Sequence, residues 1–225
     1  MIIITDVHGC FKTFLALVSK IPANERICVA GDIVDRGPMS CQLIQYLIDN
    51  KERIDVVVGN HEKMMLDGVK NPFNESCWFQ NGGKATLESY KDAPETLESH
   101  LQWIQSLPYY MEYKDIKKGD RHLIVSHASI QSEDLVKACR NDNILWNREF
   151  ESVDVPSWFN VFGHSPVPMA EIKEHCANID TGCVYPKSDF NGGKLTALHF
   201  PTMKIYEQER LDKVSEDVIK GLLVK

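Results

Sequence analysis

The first third of the chain alternates short apolar runs with helical patterns, and this alternation limits the folds that are open to it. The apolar runs lie at 2–4, 27–30 and 54–58, and their β-branched residues are typical of strands buried on both faces. Between them, segments 11–21 and 43–48 carry apolar residues at helical spacing. Each strand–helix–strand unit has the length of a parallel crossover, so the sequence predicts a mostly parallel sheet with its loops at one edge.

The last part of the chain is predicted to return to strands. Apolar runs at 123–125, 158–162 and 177–179 are followed by the motifs Ser-His-Ala, Gly-His-Ser-Pro and Asp-Thr-Gly. The runs 195–200 and 203–206 stand on either side of a proline and predict a closing hairpin. An α/β fold is therefore expected, with strands at both ends of the sequence and a more helical middle.

The chain is predicted to form a single domain. It contains no internal repeat, low-complexity segment or linker rich in Pro, Gly and Ser, so one domain is expected over residues 1–225. The tail at 211–224 is predicted as a short helix.

The composition is that of an ordinary soluble globular protein and argues against several classes of partner. The 225 residues are 43% hydrophobic and 25% charged, and the formal net charge of −7 disfavours binding to nucleic acid or anionic membranes. Seven cysteines without a paired spacing indicate reduced thiols. The apolar run at the N-terminus is too short for a signal peptide or a membrane span. A cytoplasmic monomer is therefore expected.

Five of the predicted strands end in side chains that can bind a metal ion. Carboxyl ends of parallel strands meet at one edge of a sheet, which is where open α/β folds bind ligands. The candidate ligands are Asp6, His8, Asp32, Asn60, His127 and His164. A set of carboxylate, amide and imidazole groups without thiolate suits Mn, Fe, Zn, Co or Ni. Six ligands suffice for two ions if one carboxylate bridges them, and Asp32 on the middle strand is the natural bridge.

The segment 31–37, which reads Gly-Asp-Ile-Val-Asp-Arg-Gly, follows one of these strands directly. Taken alone, it is compatible with a surface turn in which Arg36 pairs with one aspartate. In a cleft, however, its two carboxylates would repel each other unless cations lay beside them. Two divalent ions together with Arg36 and Arg148 would make a net positive pocket, which suits a phosphate group. Asp35 is expected to pair with a protonated His61.

The motifs at 6–9, 31–37 and 59–62 resemble the signature of the metal-dependent phosphoprotein phosphatase family. The single-histidine segments around His127 and His164 are similar to its remaining ligand motifs. Further segments at 78–83, 145–149 and 179–182 resemble the bacteriophage lambda phosphatase branch of that family and its bacterial relatives. The resemblance extends from about residue 2 to residue 198, and the order and spacing of the three motifs make it specific.

The resemblance implies a calcineurin-like metallophosphoesterase fold, a sandwich of two β-sheets flanked by helices with a di-metal site at the strand ends. It assigns Asp6, His8 and Asp32 to one ion, and Asp32, Asn60, His127 and His164 to the other, with manganese the expected metal. It makes His61 the general acid, oriented by Asp35. It gives Arg36 and Arg148 the role of holding phosphate oxygens.

The activity implied by the resemblance is hydrolysis of phosphoserine and phosphothreonine in proteins, with phosphotyrosine also open, by a metal-bridging hydroxide. A second hypothesis keeps the chemistry but takes dinucleoside polyphosphates as substrates, as the related diadenosine tetraphosphatases do. Asp35 and Glu62 fit the protein phosphatase pattern better, and for that reason a phosphorylated protein is the expected partner. A third hypothesis is an inactive relative that only binds phosphoproteins.

Overall fold

The computed structural model describes residues 1–188 and 192–215. The strands are β1 Ile2–Ile4, β2 Ile27–Ala30, β3 Ile54–Val57, β4 Tyr110–Lys118, β5 Arg121–Ser126, β6 Trp158–Phe162, β7 Glu171–Ile172, β8 Cys176–Asn178, β9 Lys194–His199 and β10 Lys204–Glu209. The helices are α1 Phe11–Val18, α2 Ser40–Asp49, α3 Asn60–Lys70, α4 Pro72–Gln80, α5 Gly83–Ser89, α6 Leu97–Gln105, α7 Leu135–Ala138 and α8 Asn143–Trp146. Short 3₁₀ turns lie at Pro94–Thr96 and Arg140–Asp142.

The strands form two mixed sheets, in the orders β10-β9-β1-β2-β3 and β4-β5-β6-β8-β7. The neighbours β1, β2 and β3 are parallel, as are β5, β6 and β8. Antiparallel strands complete the edges, including the predicted hairpin of β9 and β10. The predicted α/β sandwich of two sheets is therefore confirmed, and each sheet contains three adjacent parallel strands.

The two sheets pack face to face through alternate residues of their strands. Ile3 and Cys28 of the first sheet lie in one buried cluster with Val125 and Val161 of the second. The intervening residues, such as Ile4, point the other way and pack under the helices. This period of two follows from strand geometry. Burial of each such aliphatic side chain contributes about 1.5–3 kcal/mol, so the cluster fixes the position of one sheet against the other.

Some elements were not predicted from the sequence. The strand Tyr110–Lys118 lies at a sheet edge, and its residues are exposed or only partly buried, so it lacks the continuous apolar run that marks the central strands. The predicted helix at 211–224 falls mostly outside the described residues, and 211–215 is not helical. Within the described part of the chain, no helix has both the length and the apolar character needed to cross a bilayer.

Candidate metal centre

The predicted metal ligands converge where the carboxyl ends of the two sheets meet. His127, which follows β5, places its Nδ1 atom 3.0 Å from the carbonyl oxygen of Ala30 at the end of β2. The backbone N–H of His164, which follows β6, donates to Oδ2 of Asp6, which follows β1, at 3.1 Å. These contacts join the second sheet to the first, and all six predicted ligands are buried there.

Asp32 lies at the centre of the cluster. Its Oδ2 atom is 3.6 Å from Nε2 of His8, and its Oδ1 atom is 3.4 Å from Nε2 of His127. Two groups of potential ligand atoms, each within 4.8 Å, contain it: one with His8 and His61, the other with His127 and His164. Asp32 belongs to both groups, which is the arrangement that a bridging carboxylate requires.

Asn60 and Asp6 lie beside these two groups. The Oδ1 atom of Asn60 is 2.8 Å from Nε2 of His127. Asp6 is in neither of the two groups, but it lines the same cavity as Asp32. The structure thus brings together all the predicted ligands and also places His61, predicted as the general acid, in one of the two groups.

The charges of the cluster fit divalent cations. Burial raises the pKa of Asp6 and Asp32, and neighbouring carboxylates raise the pKa of both further. Burial lowers the pKa of His127 to about 4, so its imidazole is neutral and offers a lone pair. The Nε2 atom of His164 is buried and has no hydrogen-bond partner among the described residues. Crowded carboxylates and neutral imidazoles are the donors that such ions bind.

Arg36 reaches into this cluster. Its Nη1 atom is 2.7 Å from Nε2 of His8, and its Nη2 atom is 2.9 Å from Nε2 of His61. Its positive charge also lowers the pKa of the buried Asp32 carboxyl, against the larger effect of burial. The guanidinium therefore contacts the atom of His8 that is predicted to bind metal. It would have to leave that atom when an ion binds, and the adjoining cavity gives it room to contact phosphate.

His61 is held from behind by Asp35. Its Nδ1 atom is 2.7 Å from Oδ2 of Asp35. That oxygen also accepts a hydrogen bond from Nε1 of Trp78, and the other oxygen, Oδ1, accepts one from Oγ1 of Thr86. The predicted contact is present, but burial raises the pKa of Asp35 to about 8 and lowers that of His61. These directions disfavour the predicted ion pair between a protonated His61 and a carboxylate, because neither charge is solvated.

Glu62 has a structural role that the sequence did not reveal. Its Oε2 atom accepts hydrogen bonds from the backbone N–H groups of Gly59 and Asp32, at 2.7 and 2.8 Å. Its Oε1 atom accepts from those of Ile33 and Val34, at 2.8 and 3.1 Å. One buried carboxylate thus ties the loop after β3 to the loop after β2. Its position three residues after Gly59, as in a capping box, was the available signal.

The backbone of the cluster is strained. Residues other than glycine rarely adopt positive φ, yet several of the candidate site residues do. They are Asp6, His8, Asp32, Asp35, Arg36 and His164, with φ between 47° and 70°. Each costs about 1 kcal/mol or more. Gly31, with φ of 76°, has a second constraint, because a Cβ atom there would lie 2.7 Å from Cα of Gly59. Strain of this kind concentrates at functional sites.

A cavity of about 500 Å³ opens over the cluster. Its walls include most of the predicted site residues, while Asp35 and His127 lie behind them. Other lining residues were not predicted: Asn81, Trp146, Pro166, Asp180 and Tyr185. Asp180 follows a strand end as the predicted ligands do, and burial raises its pKa to about 6. The charge balance expected from the sequence omitted this carboxylate, so the pocket is less positive than predicted.

Comparisons with known proteins agree with this geometry. The model of the calcineurin-like phosphoesterase family matches residues 1–197. The bis(5'-nucleosyl)-tetraphosphatase PrpE [asymmetrical] of Bacillus cereus (strain Q1) is 27% identical over 241 residues, covering 90% of this chain and 91% of that protein. The protein of the same name from Bacillus subtilis (strain 168) is 28% identical over 233 residues, with the same coverage.

Solved structures show the same fold. A protein assigned as a diadenosine tetraphosphatase aligns with a TM-score of 0.63 at 21% identity, covering 92% of both chains. A serine/threonine phosphatase from Saccharomyces cerevisiae aligns with a TM-score of 0.58 at 14% identity, covering 94% of this chain and 80% of that one.

The prediction of a protein phosphatase is wrong, because the two relatives reported above, which align over 90% of this chain at 27% and 28% identity, are tetraphosphatases. The preference for a phosphorylated protein as the substrate rested on Asp35 and Glu62. In the structure both are fully buried and bind other parts of the protein: Asp35 contacts His61, and Glu62 binds loop amides. Neither can touch a substrate, so neither distinguishes one phosphate ester from another.

Proposed function

This chain belongs to the calcineurin-like phosphoesterase family, and from that premise we propose that it hydrolyses dinucleoside tetraphosphates with two bound divalent ions. The observation that carries the proposal is the alignment with tetraphosphatases over 90% of this chain and 91% of the relatives. We further propose that this activity resides in one domain over residues 1–225.

The cavity suits a substrate whose centre is a chain of phosphates. Arg36 and Arg148 both line it, and guanidinium groups bind phosphate oxygens through paired hydrogen bonds. Its volume of about 500 Å³ is within the range that takes a drug-sized ligand. A dinucleoside tetraphosphate would place its reacting phosphate and one nucleoside in the cavity and extend the rest outward.

We assign the ligand sets as the sequence motifs imply. Asp6, His8 and Asp32 would hold one ion, and Asp32, Asn60, His127 and His164 the other, with manganese as the first candidate. When bound, such ions supply Lewis acidity and a water of lowered pKa that can attack phosphorus. The protein itself supplies the fixed positions of these donors, which the buried loop contacts of Glu62 maintain.

His61 would give a proton to the departing oxygen from its Nε2 atom. Because burial raises the pKa of Asp35 and lowers that of His61, the proton between them would lie on Asp35, and the neutral imidazole would carry its own proton on Nε2. In a tetraphosphate the departing oxygen belongs to a nucleotide phosphate, which is far less basic than the alkoxide of serine. Proton donation is therefore a smaller part of the barrier for this substrate than for an alkyl phosphate. Arg36, beside His61 Nε2, would neutralise the negative charge that remains.

The test is an assay of chelated protein reconstituted with single metals, on diadenosine tetraphosphate and on a phosphoserine peptide. We expect turnover of the dinucleotide to ATP and AMP, as the word asymmetrical in the relatives' name suggests, and much slower release of phosphate from the peptide. The variant Asp32→Asn, which removes the proposed bridge, should abolish both. Preferred turnover of the peptide, or no nucleotide product with any metal, would overturn the proposal.

A further inference from the structure

We propose that the indole of Trp146 is a stacking platform for the base of the nucleotide bound in the cavity. The inference rests on the proposed function, since it identifies the part of the chain that would recognise a nucleoside. It adds to that function the residue that would distinguish a nucleotide from a bare phosphate ester.

Trp146 is the most exposed of the four tryptophans, all of which lie among the described residues, and Trp103 is partly buried. Trp146 is 44% exposed and lines the cavity, whereas Trp78 is 1% exposed and Trp158 is 5% exposed. A large apolar side chain at the wall of a pocket gains by being covered when a ligand binds. The exposed indole therefore marks a part of the cavity that is prepared for an uncharged, flat group.

The position of the indole matches the layout of a nucleotide. Its ring centroid is 6.4 Å from that of His164, and the two ring planes meet at 86°. Arg148, a proposed phosphate ligand, follows two residues later in the chain and also lines the cavity. A phosphate held by Arg148 and the metal centre would thus have an aromatic face beside it, where the base joined through its ribose can lie.

The segment that carries both side chains is anchored to the body of the protein. The Nδ2 atom of Asn147 donates to the carbonyl oxygen of Ser129 at 3.0 Å, and Oγ of Ser129 donates to the carbonyl oxygen of Glu149 at 2.7 Å. Leu145, on the other side, is buried. These contacts hold the backbone around Trp146 before substrate arrives, which reduces the entropy lost on binding.

Most of the other lining side chains suit phosphate. Acidic side chains and imidazoles line the cavity together with two arginines, whereas Trp146, Tyr185, Pro166 and Val184 provide apolar surface, and Trp146 is the most exposed aromatic ring among them. Aromatic stacking accepts any base, because each base has a π-face. We therefore expect adenine and guanine nucleotides to be bound with similar affinity.

The first experiment compares the variants Trp146→Ala and Trp146→Phe with the wild-type enzyme on diadenosine tetraphosphate and on inorganic tripolyphosphate. Loss of stacking should raise KM for the dinucleotide by on the order of tenfold in Trp146→Ala, with kcat changed little. Trp146→Phe should restore most of this loss, and in both variants the KM for tripolyphosphate should change far less than the KM for the dinucleotide. Phe150→Ala is the matched control, since Phe150 is 52% exposed but does not line the cavity.

The second experiment does not depend on tetraphosphatase activity. Calorimetry on metal-loaded protein should show AMP binding on the order of tenfold more tightly than ribose 5-phosphate, and Trp146→Ala should remove that preference. If the preference is present and lost in the variant while the dinucleotide is not cleaved, the proposed function fails and the platform stands. Equal affinities in the wild-type protein, or a preference that survives in Trp146→Ala, would overturn the platform.

Discussion

The Oε2 atom of Glu62 accepts the backbone N–H of Asp32 at 2.8 Å, so the residue at the centre of the metal cluster is positioned by a second buried carboxylate. That carboxylate binds four backbone N–H groups in total and is fully buried. Its oxygens accept the hydrogen bonds that water would otherwise accept from the backbone N–H groups of the loop after β2. The loop geometry therefore depends on a residue that never meets the substrate.

Glu62→Gln should destabilise the protein strongly. An amide NH₂ would face backbone donors where an oxygen now accepts from them, leaving buried N–H groups unsatisfied. We expect the free energy of unfolding to fall by about 2–4 kcal/mol, measured by urea denaturation. Glu52→Gln, at an exposed position, is the matched control and should change it little. A Glu62→Gln protein with unchanged stability and metal affinity would contradict this role.

His61→Ala should affect substrates according to their leaving groups. Because proton donation matters most when the departing oxygen is basic, the rate on glycerol phosphate should fall much more than the rate on diadenosine tetraphosphate. Asp35→Asn should lower kcat on glycerol phosphate by roughly 10–100-fold and on diadenosine tetraphosphate by less, since it disturbs the contact that orients the imidazole. Steady-state kinetics with both substrates provides the test. Equal losses in His61→Ala would exclude the proton-donor role.

Asp180→Asn should stabilise the protein when metal is absent. The Asp180 carboxylate repels Asp6 in a buried site, and burial raises its pKa to about 6, so its charge at pH 7 is unfavourable. We expect about 1–3 kcal/mol of added stability in EDTA, measured by thermal denaturation. The exposed Asp115→Asn serves as control. A lower melting temperature for Asp180→Asn in EDTA would show that the repulsion is not the dominant effect.

Gly31→Ala and Gly119→Ala form a pair that separates backbone strain from steric overlap. Both glycines have positive φ, 76° and 61°, but only at Gly31 would a Cβ atom meet another backbone, that of Gly59. Gly119 has nothing within 4 Å of that position. We expect a loss of about 1 kcal/mol for Gly119→Ala and clearly more for Gly31→Ala, measured by urea denaturation. Similar losses would mean that the contact with Gly59 relaxes easily.

The sequence predicted the centre of this fold better than its edges. Runs such as 2–4 and 27–30 are apolar throughout because both faces of their strands are covered, one by helices and one by the other sheet. The edge strand Tyr110–Lys118 is exposed or only partly buried, and its sequence mixes apolar and charged residues. The strongest signal of the site was the polar residue that follows each strand, because the carboxyl ends of parallel strands meet at one edge of a sheet.

The residues that the sequence did not reveal are those whose role depends on distant partners. Glu62 acts on amides about thirty positions earlier in the chain, and Trp146 reaches the cavity only because a short helix ends beside His164. The error about substrate had a similar origin. Sequence motifs indicate the chemistry that a whole family shares, whereas the choice of substrate depends on the side chains that line the cavity around the metal centre.

The contact between His127 and Ala30 crosses from one sheet to the other, and this gives the two proposed ions unequal mechanical roles. The first ion would take all its ligands, Asp6, His8 and Asp32, from loops of the first sheet. The second would take Asp32 and Asn60 from that sheet but His127 and His164 from the other. The second ion would therefore act as a cross-link between the halves of the sandwich, and its loss should weaken the contact between the two sheets more than loss of the first.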